Sequence, residues 1–185
     1  YGFIFSDSRD AVFVFGRRHI INPDISNDLR GALAKFSLTG NQEWVKVDSN
    51  GTGAADVALT KNGDVAWTTY GAYKTANTFL VTSANGESTL RKELVSDATG
   101  IDLVTTNYQG MTVGLEGSSK DPRVLFFDSV GNIVRSFVYA AEGRPTVSGA
   151  IHGDSLWVQA SFGGGYHSFL ALYDIPSGTQ RWRTE

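Results

Sequence analysis

The chain contains no cysteine among its 185 residues, which excludes disulfide staples, zinc–thiolate centres and thiol nucleophiles together. It leaves the redox compartment open, because exported repeat proteins also do without cysteine. Proline is scarce, at four residues. No apolar run approaches the ~20 residues that a membrane-spanning helix needs. The N-terminal YGFIFSDSRD lacks the basic and apolar regions of a signal peptide, so a mature protein or a piece of a longer one is expected. Positive charge is also in short supply: 16 Lys and Arg face 19 Asp and Glu, a formal net charge of −3. The densest basic group, Arg17-Arg18 with His19 beside it, is too small for a phosphate-binding surface, and no nucleic-acid partner is expected.

What is present is glycine, at 21 residues, and aromatic side chains, at 12%. That combination favours short strands and tight turns over helices. The stretch Gly31 to Asp48, GALAKFSLTGNQEWVKVD, has two β-type runs around a Gly40-Asn41 turn, a hairpin signal. A glycine in a comparable turn recurs at Gly86, Gly131 and Gly178, at spacings of 46, 45 and 47 residues. Such a period marks an array of supersecondary units.

Aligned on these glycines, the chain divides into four four-stranded antiparallel units, approximately 1–48, 49–97, 98–142 and 143–185. Short links such as Lys61-Asn62-Gly63, Asn107-Tyr108-Gln109-Gly110 and His152-Gly153-Asp154 fall between first and second strands. Unit one departs from the pattern. Between its second strand, expected at Ala11–Phe15, and its third, Ala32–Leu38, lies Arg17–Leu29, which reads as a surface insertion with a helical turn capped at Ser26.

Four-stranded units of this length have the size of β-propeller blades, and an all-β propeller of such blades is the expected fold. One blade has two apolar faces and cannot hide both, so blades must stack. A face hiding ~400 Å² of apolar surface is worth on the order of 10 kcal/mol, an upper estimate. Four blades alone leave closure to the first and last faces. The expectation is therefore part of a larger, seven- or eight-bladed propeller. Further blades, a protein partner or a second copy would cover the exposed faces.

GALAKFSLTGNQEWVKVD followed by GTGAADVALTKNGDVAWTTYG resembles the SBBP-type β-propeller repeat. Ala34-Lys35-Phe36, Gly40-Asn41, Trp44, Gly51, Gly53, Asp56, Val57-Ala58-Leu59 and Asn62-Gly63-Asp64-Val65 carry the likeness, which thins along the later units. The acidic residue that the family places four before the turn glycine is kept only at Asp174; Phe36, Thr82 and Phe127 stand elsewhere. Asp174, Ser177-Gly178 and Trp182 also resemble the tryptophan-docking repeat of quinoprotein propellers. Trp44 has the same offset from its glycine, Leu90 is an apolar substitute, and unit three has no such residue. Both resemblances imply structural roles for these residues. The SBBP type further implies an exported or cell-surface setting, usually without catalysis.

No catalytic constellation stands out, and no G-x-S-x-G elbow is present. Asp48, Asn50 and Asp56 form an oxygen-rich stretch that is a candidate calcium loop, although it lacks the ligand alternation of an EF-hand. His152, Asp154 and His167 are a second metal candidate, and Asn50-Gly51-Thr52 is a lone glycosylation sequon. Contact candidates are Arg17, Arg18, His19 and Asp24 in the insertion, and Phe162 and Tyr166 in the glycine-rich loop of unit four. The function expected is a non-catalytic scaffold for protein contact or assembly. The alternatives are a lectin-like binding propeller and a fragment of a quinoprotein-like enzyme, for which Trp67 and Trp157 would be the stacking candidates.

Overall fold

The computed structural model describes the chain except residues 1, 7–9, 23–24, 50, 61, 72–76, 95–99, 118–120, 140–145 and 163–166. For strand residues 5, 18–22, 25–29, 51, 55, 71, 100 and 102–107 it describes the backbone alone. The described residues hold no helix; they form four antiparallel sheets of four strands, each joined in chain order. The first sheet is β1 (Gly2–Phe5), β2 (Ala11–Asn22), β3 (Ile25–Ser37) and β4 (Gln42–Asp48). The second is β5 (Gly51–Leu59), β6 (Val65–Gly71), β7 (Asn77–Thr82) and β8 (Ser88–Leu94). The third is β9 (Gly100–Tyr108), β10 (Met111–Gly117), β11 (Arg123–Phe127) and β12 (Ile133–Val138). The fourth is β13 (Thr146–His152), β14 (Ser155–Phe162), β15 (His167–Asp174) and β16 (Thr179–Thr184). These sheets are the blades expected from the glycine period. The chain divides into two compact units, Tyr1–Ser96 and Asp97–Glu185, each holding two blades.

The third and fourth strands of the first three blades are joined in one way, and those of the fourth by a turn one residue wider, Gly178 donating to the Asp174 carbonyl. Gly40, Gly86, Gly131 and Gly178 all have positive φ, between 70° and 90°. The first three donate their N–H to the residue three before them, at Ser37, Ser83 and Asp128. A register shift accompanies each turn, at Lys35/Phe36, Val81/Thr82, Phe126/Phe127 and Leu172/Tyr173. A tight turn ending in a left-handed glycine and a bulge is a standard hairpin solution. The acid missing four before the glycine is replaced one residue later. Ser37 Oγ and Ser83 Oγ accept from the backbone N–H of Asn41 and Glu87 at 3.2 and 3.0 Å, and Asp128 Oδ1 accepts from Asn132 at 2.8 Å.

Two sequence expectations are corrected. Arg17–Leu29 is not a loop with a capped turn: it lengthens the β2–β3 hairpin, with Arg17 opposite Gly31, His19 opposite Leu29 and Asn22 opposite Ile25. Strand-forming isoleucines at 20, 21 and 25 outweigh the single cap signal at Ser26. Likewise the candidate calcium loop is not a loop beyond residue 50: Gly51–Asp56 begins β5 and pairs with β6 through two register shifts. Glycine marks the first of these shifts and a close approach: a Cβ on Gly53 would stand 2.7 Å from the Arg17 side chain.

Each two-blade unit has its own core. In the first, Phe13 and Leu33 meet Ala54, Val57, Val65, Trp67 and Leu80 of the next blade. In the second, Val113, Leu115, Val124 and Phe126 meet Leu156, Val158, Phe169, Ala171 and Tyr173. Alternation decides which face is inside: Leu156, Val158 and Ala160 are buried while Trp157 and Gln159 between them are exposed.

The turn glycines differ in surroundings. A Cβ at Gly86 would stand 2.8 Å from the Trp44 ring, whereas one at Gly40 meets nothing within 4 Å. Gly40→Ala should therefore cost about 1 kcal/mol, for φ alone. Gly86→Ala should cost about 2–3 kcal/mol, because the indole must also move. Urea unfolding of the two variants checks the order, and equal losses would contradict it.

Candidate functional site

Blade-to-blade joints position everything else. Trp44, four residues past Gly40, lies over Gly86 and donates its indole N–H to the Ala84 carbonyl at 3.1 Å. Arg135, four residues past Gly131, donates to the Pro176 carbonyl at 2.7 Å and also to that of Ile175. Ala84 and Pro176 each stand two before a turn glycine. Unit three therefore does have a docking residue, contrary to the expectation from sequence. Arginine fills the role because its planar head both donates N–H and covers aromatic faces. Its Cζ lies 5.2 Å from the Phe126 ring centroid and 5.9 Å from that of Phe137. The position was legible from the glycine offset; the residue type hid it.

The calcium candidates have other uses. Asp48 is buried, accepts from Thr69 Oγ1 at 2.6 Å and faces Arg91 at 3.5 Å, so it ties β4 to the second blade. Asp56 Oδ1 accepts from the Val57 N–H at 2.8 Å, and Asn50 lies outside the described residues. The histidine candidates are separated by register. His152 pairs with Ser155, which lies beside Asp174, while His167 begins the same eight-residue strand β15. At ~3.3 Å per residue the two ends of the blade are about 23 Å apart. Asp154 accepts from the Tyr108 hydroxyl at 3.0 Å. Among the described residues, no three His, Asp or Glu side chains group to hold a metal ion.

Of the contact candidates, Arg17 is exposed at the rim of a concavity on the first blade. The side chains of Arg18 and His19, and all of Asp24 and Tyr166, lie outside what is described. Phe162 is not a loop residue: it ends β14 and packs on Phe169 with ring centroids 5.9 Å apart. Trp67, a stacking candidate of the enzyme alternative, is buried in the first core with its N–H on Thr82 Oγ1 at 3.1 Å. The two arginines that sequence reasoning overlooked are Arg135 and Arg123. The latter makes a two-pronged pair with fully buried Glu116, at 2.8 and 2.9 Å, across the β10–β11 hairpin.

Titration follows these contacts. The Ser177 hydroxyl and backbone N–H, with Arg181 beside them, hold the Asp174 carboxyl below its ordinary range. Burial raises the Tyr173 hydroxyl, and burial with Asp154 at hand raises that of Tyr108.

Among the described residues, the outer face of the fourth blade is one that stays open. The register sets Ala150, Trp157, Leu172 and Trp182 in one row across its four strands. Trp157 is 38% exposed and Trp182 45%, and their rings meet edge-on with centroids 5.9 Å apart. Leu170 extends the patch. At the other end of the chain, the first blade presents Phe3 and Val14 beside a concavity of about 360 Å³ lined by Val14, Ala32, Ala34, Phe36, Gln42 and Val45.

No family model and no curated protein sequence matches the chain. Solved structures do. A protein of unknown function from Bacteroides caccae superposes with a TM-score of 0.69 at 12% identity, over 99% of this chain and 59% of that one. A chain of a nidogen–laminin complex gives 0.62 at 12% identity, over 99% and 78%. The Pan2 WD40 domain of Neurospora crassa gives 0.63 at 9% identity, over 98% and 64%. This chain thus spans about three-fifths of the first of these structures. The four sheets are blade units of the β-propeller class, similar to these proteins in fold alone.

Arg135→Ala should destabilise the second unit by about 2 kcal/mol, and Arg135→Trp should recover part of it by imitating Trp44. Denaturant midpoints read both, and no recovery by Trp would break the equivalence of the two joints. The depressed Asp174 carboxyl contributes stability above the ordinary carboxylate pKa that is lost as pH falls through its folded-state value. The melting-temperature gap between wild type and Asp174→Asn should be widest near neutral pH and close as the pH falls below the ordinary carboxylate range; a gap independent of pH would refute it.

Proposed function

We propose that this protein is a non-catalytic propeller scaffold whose work is protein contact. The observation that carries this reading is the row of Trp157, Leu172 and Trp182 with Leu170, an apolar aromatic face left open on an otherwise mated sheet. Single exposed apolar side chains are ordinary; a contiguous aromatic row is the mark of an interaction surface. Tryptophan is enriched among residues that dominate binding energy, because it combines large apolar area with one N–H donor. The likeness of residues 31–65 to SBBP-type repeats supports an exported or cell-surface setting.

A photoreactive side chain in place of exposed Gln159, on this face, tests the reading in the producing cells. Covalent adducts to protein are expected there and not from the same group at Asn132, an exposed turn position. Equal background at both sites would sink the contact-face assignment.

A further inference from the structure

The chain has three Asn-Gly pairs, Asn50-Gly51, Asn62-Gly63 and Asn85-Gly86, of which Asn50 lies outside the described residues. The other two sit in turns of the same build. Gly63 donates its N–H to the Thr60 carbonyl at 3.0 Å, and Thr60 donates to Asp64 at 2.8 Å. Gly86 donates to Ser83 at 2.9 Å, and Ser83 donates to Glu87 at 2.8 Å. Both glycines have positive φ, 80° and 90°, and both asparagines are exposed. The side chains around them differ. Asn85 Oδ1 accepts from the Ser83 hydroxyl and from the Glu87 N–H at 3.3 Å, so two bonds hold its amide in place. Gly86 beyond it is buried, and a Cβ there would stand 2.8 Å from the Trp44 ring. In the other turn the residue matching Ser83 is Thr60. Among the described residues its buried hydroxyl has no hydrogen-bond partner, and none holds the Asn62 side chain. A Cβ on Gly63 would meet nothing within 4 Å.

We infer that Asn62 is a site of spontaneous covalent modification, and that the fold protects Asn85 from the same reaction. Asparagine cyclises more readily before glycine than before other residues, because no Cβ blocks the approach to the glycine nitrogen. The Gly63 nitrogen attacks Cγ of Asn62; the N–Cγ bond forms, the Cγ–Nδ2 bond breaks, and ammonia leaves with the Gly63 amide proton. Water then opens the five-membered imide at either carbonyl, leaving aspartate or isoaspartate. Water is the only co-reactant. Attack needs Cγ brought onto the glycine nitrogen, which a free side chain on an open turn reaches and a tethered one beside an indole does not. The Gly63 bond to Thr60 slows attack, but the Gly86 bond to Ser83 does the same, so the difference lies with the side chains. The product adds one negative charge near Asp64 and, as isoaspartate, one more backbone carbon. Both fall in the turn that leads into Val65 and Trp67 of the first core. The modification needs no partner and is separate from the contact role.

Chymotryptic mapping of the folded chain, aged in mildly alkaline buffer, tests it. Cleavage after Trp44, Leu59, Trp67, Leu80 and Leu90 puts Asn50, Asn62 and Asn85 on separate peptides. Ageing in heavy-oxygen water marks each event by label uptake at the opened imide. Conversion at Asn62 is expected to be at least ~10-fold faster than at Asn85, the effect of breaking two hydrogen bonds before attack. In urea the two sites should convert alike, because the turns are gone. Ser83→Ala removes one tether and should speed Asn85 in the folded chain by ~3-fold or more, with a retained cooperative melt showing that the variant folds. Equal rates at the two sites in the folded chain, a difference that persists in urea, or no acceleration by Ser83→Ala overturns the inference.

Discussion

An indole lying on a glycine is the contact on which the first unit depends. Trp44 reaches from one blade to the next, rests on the backbone of Gly86, and satisfies its N–H on the Ala84 carbonyl. Any side chain at Gly86 would push the ring away, and its positive φ already excludes most residues. Two constraints of different origin thus act on one residue. The joint holds the apolar faces together where Phe13 and Leu33 meet Trp67 and Leu80, and hydrophobic burial there supplies the larger stabilisation.

The second unit meets the same constraint with different chemistry. Arg135 replaces the indole, and it works because the requirement is for a flat donor and not for a particular residue. Its guanidinium covers Phe126 and Phe137 while its N–H groups satisfy turn carbonyls that the hairpin leaves without partners. Polar closure and apolar packing are therefore coupled in one side chain. Buried Glu116, held in a fork by Arg123, and the Tyr139 hydroxyl on the Glu116 carbonyl at 2.5 Å show the same economy within the third blade.

One candidate site read from sequence is dispersed by register, and another is already engaged. His152 and His167 are close in the chain and share a blade, yet strand geometry sets them at its opposite ends. Asp48 and Asp56 sit in an oxygen-rich stretch, yet each carboxylate already accepts hydrogen bonds within the fold. The open aromatic row was the reverse case. Trp157, Leu172 and Trp182 are far apart in sequence and become neighbours only through the pairing of β14, β15 and β16. Nothing local in any one of those strands announces the row.

The blade architecture was legible because its cause is local. A positive-φ turn demands glycine wherever it occurs, so the four turns printed their period directly into the chain. Alternation within strands was legible for the same reason, as was the offset of Trp44 and Trp182 from their glycines. Tertiary structure alone decided which of those equivalent positions is occupied. Trp44 is seated and Trp182 is exposed, although sequence presents them alike, because a side chain's burial depends on the neighbouring sheet and not on its own strand. That difference, invisible along the chain, is what turns a structural repeat into a surface available for contact.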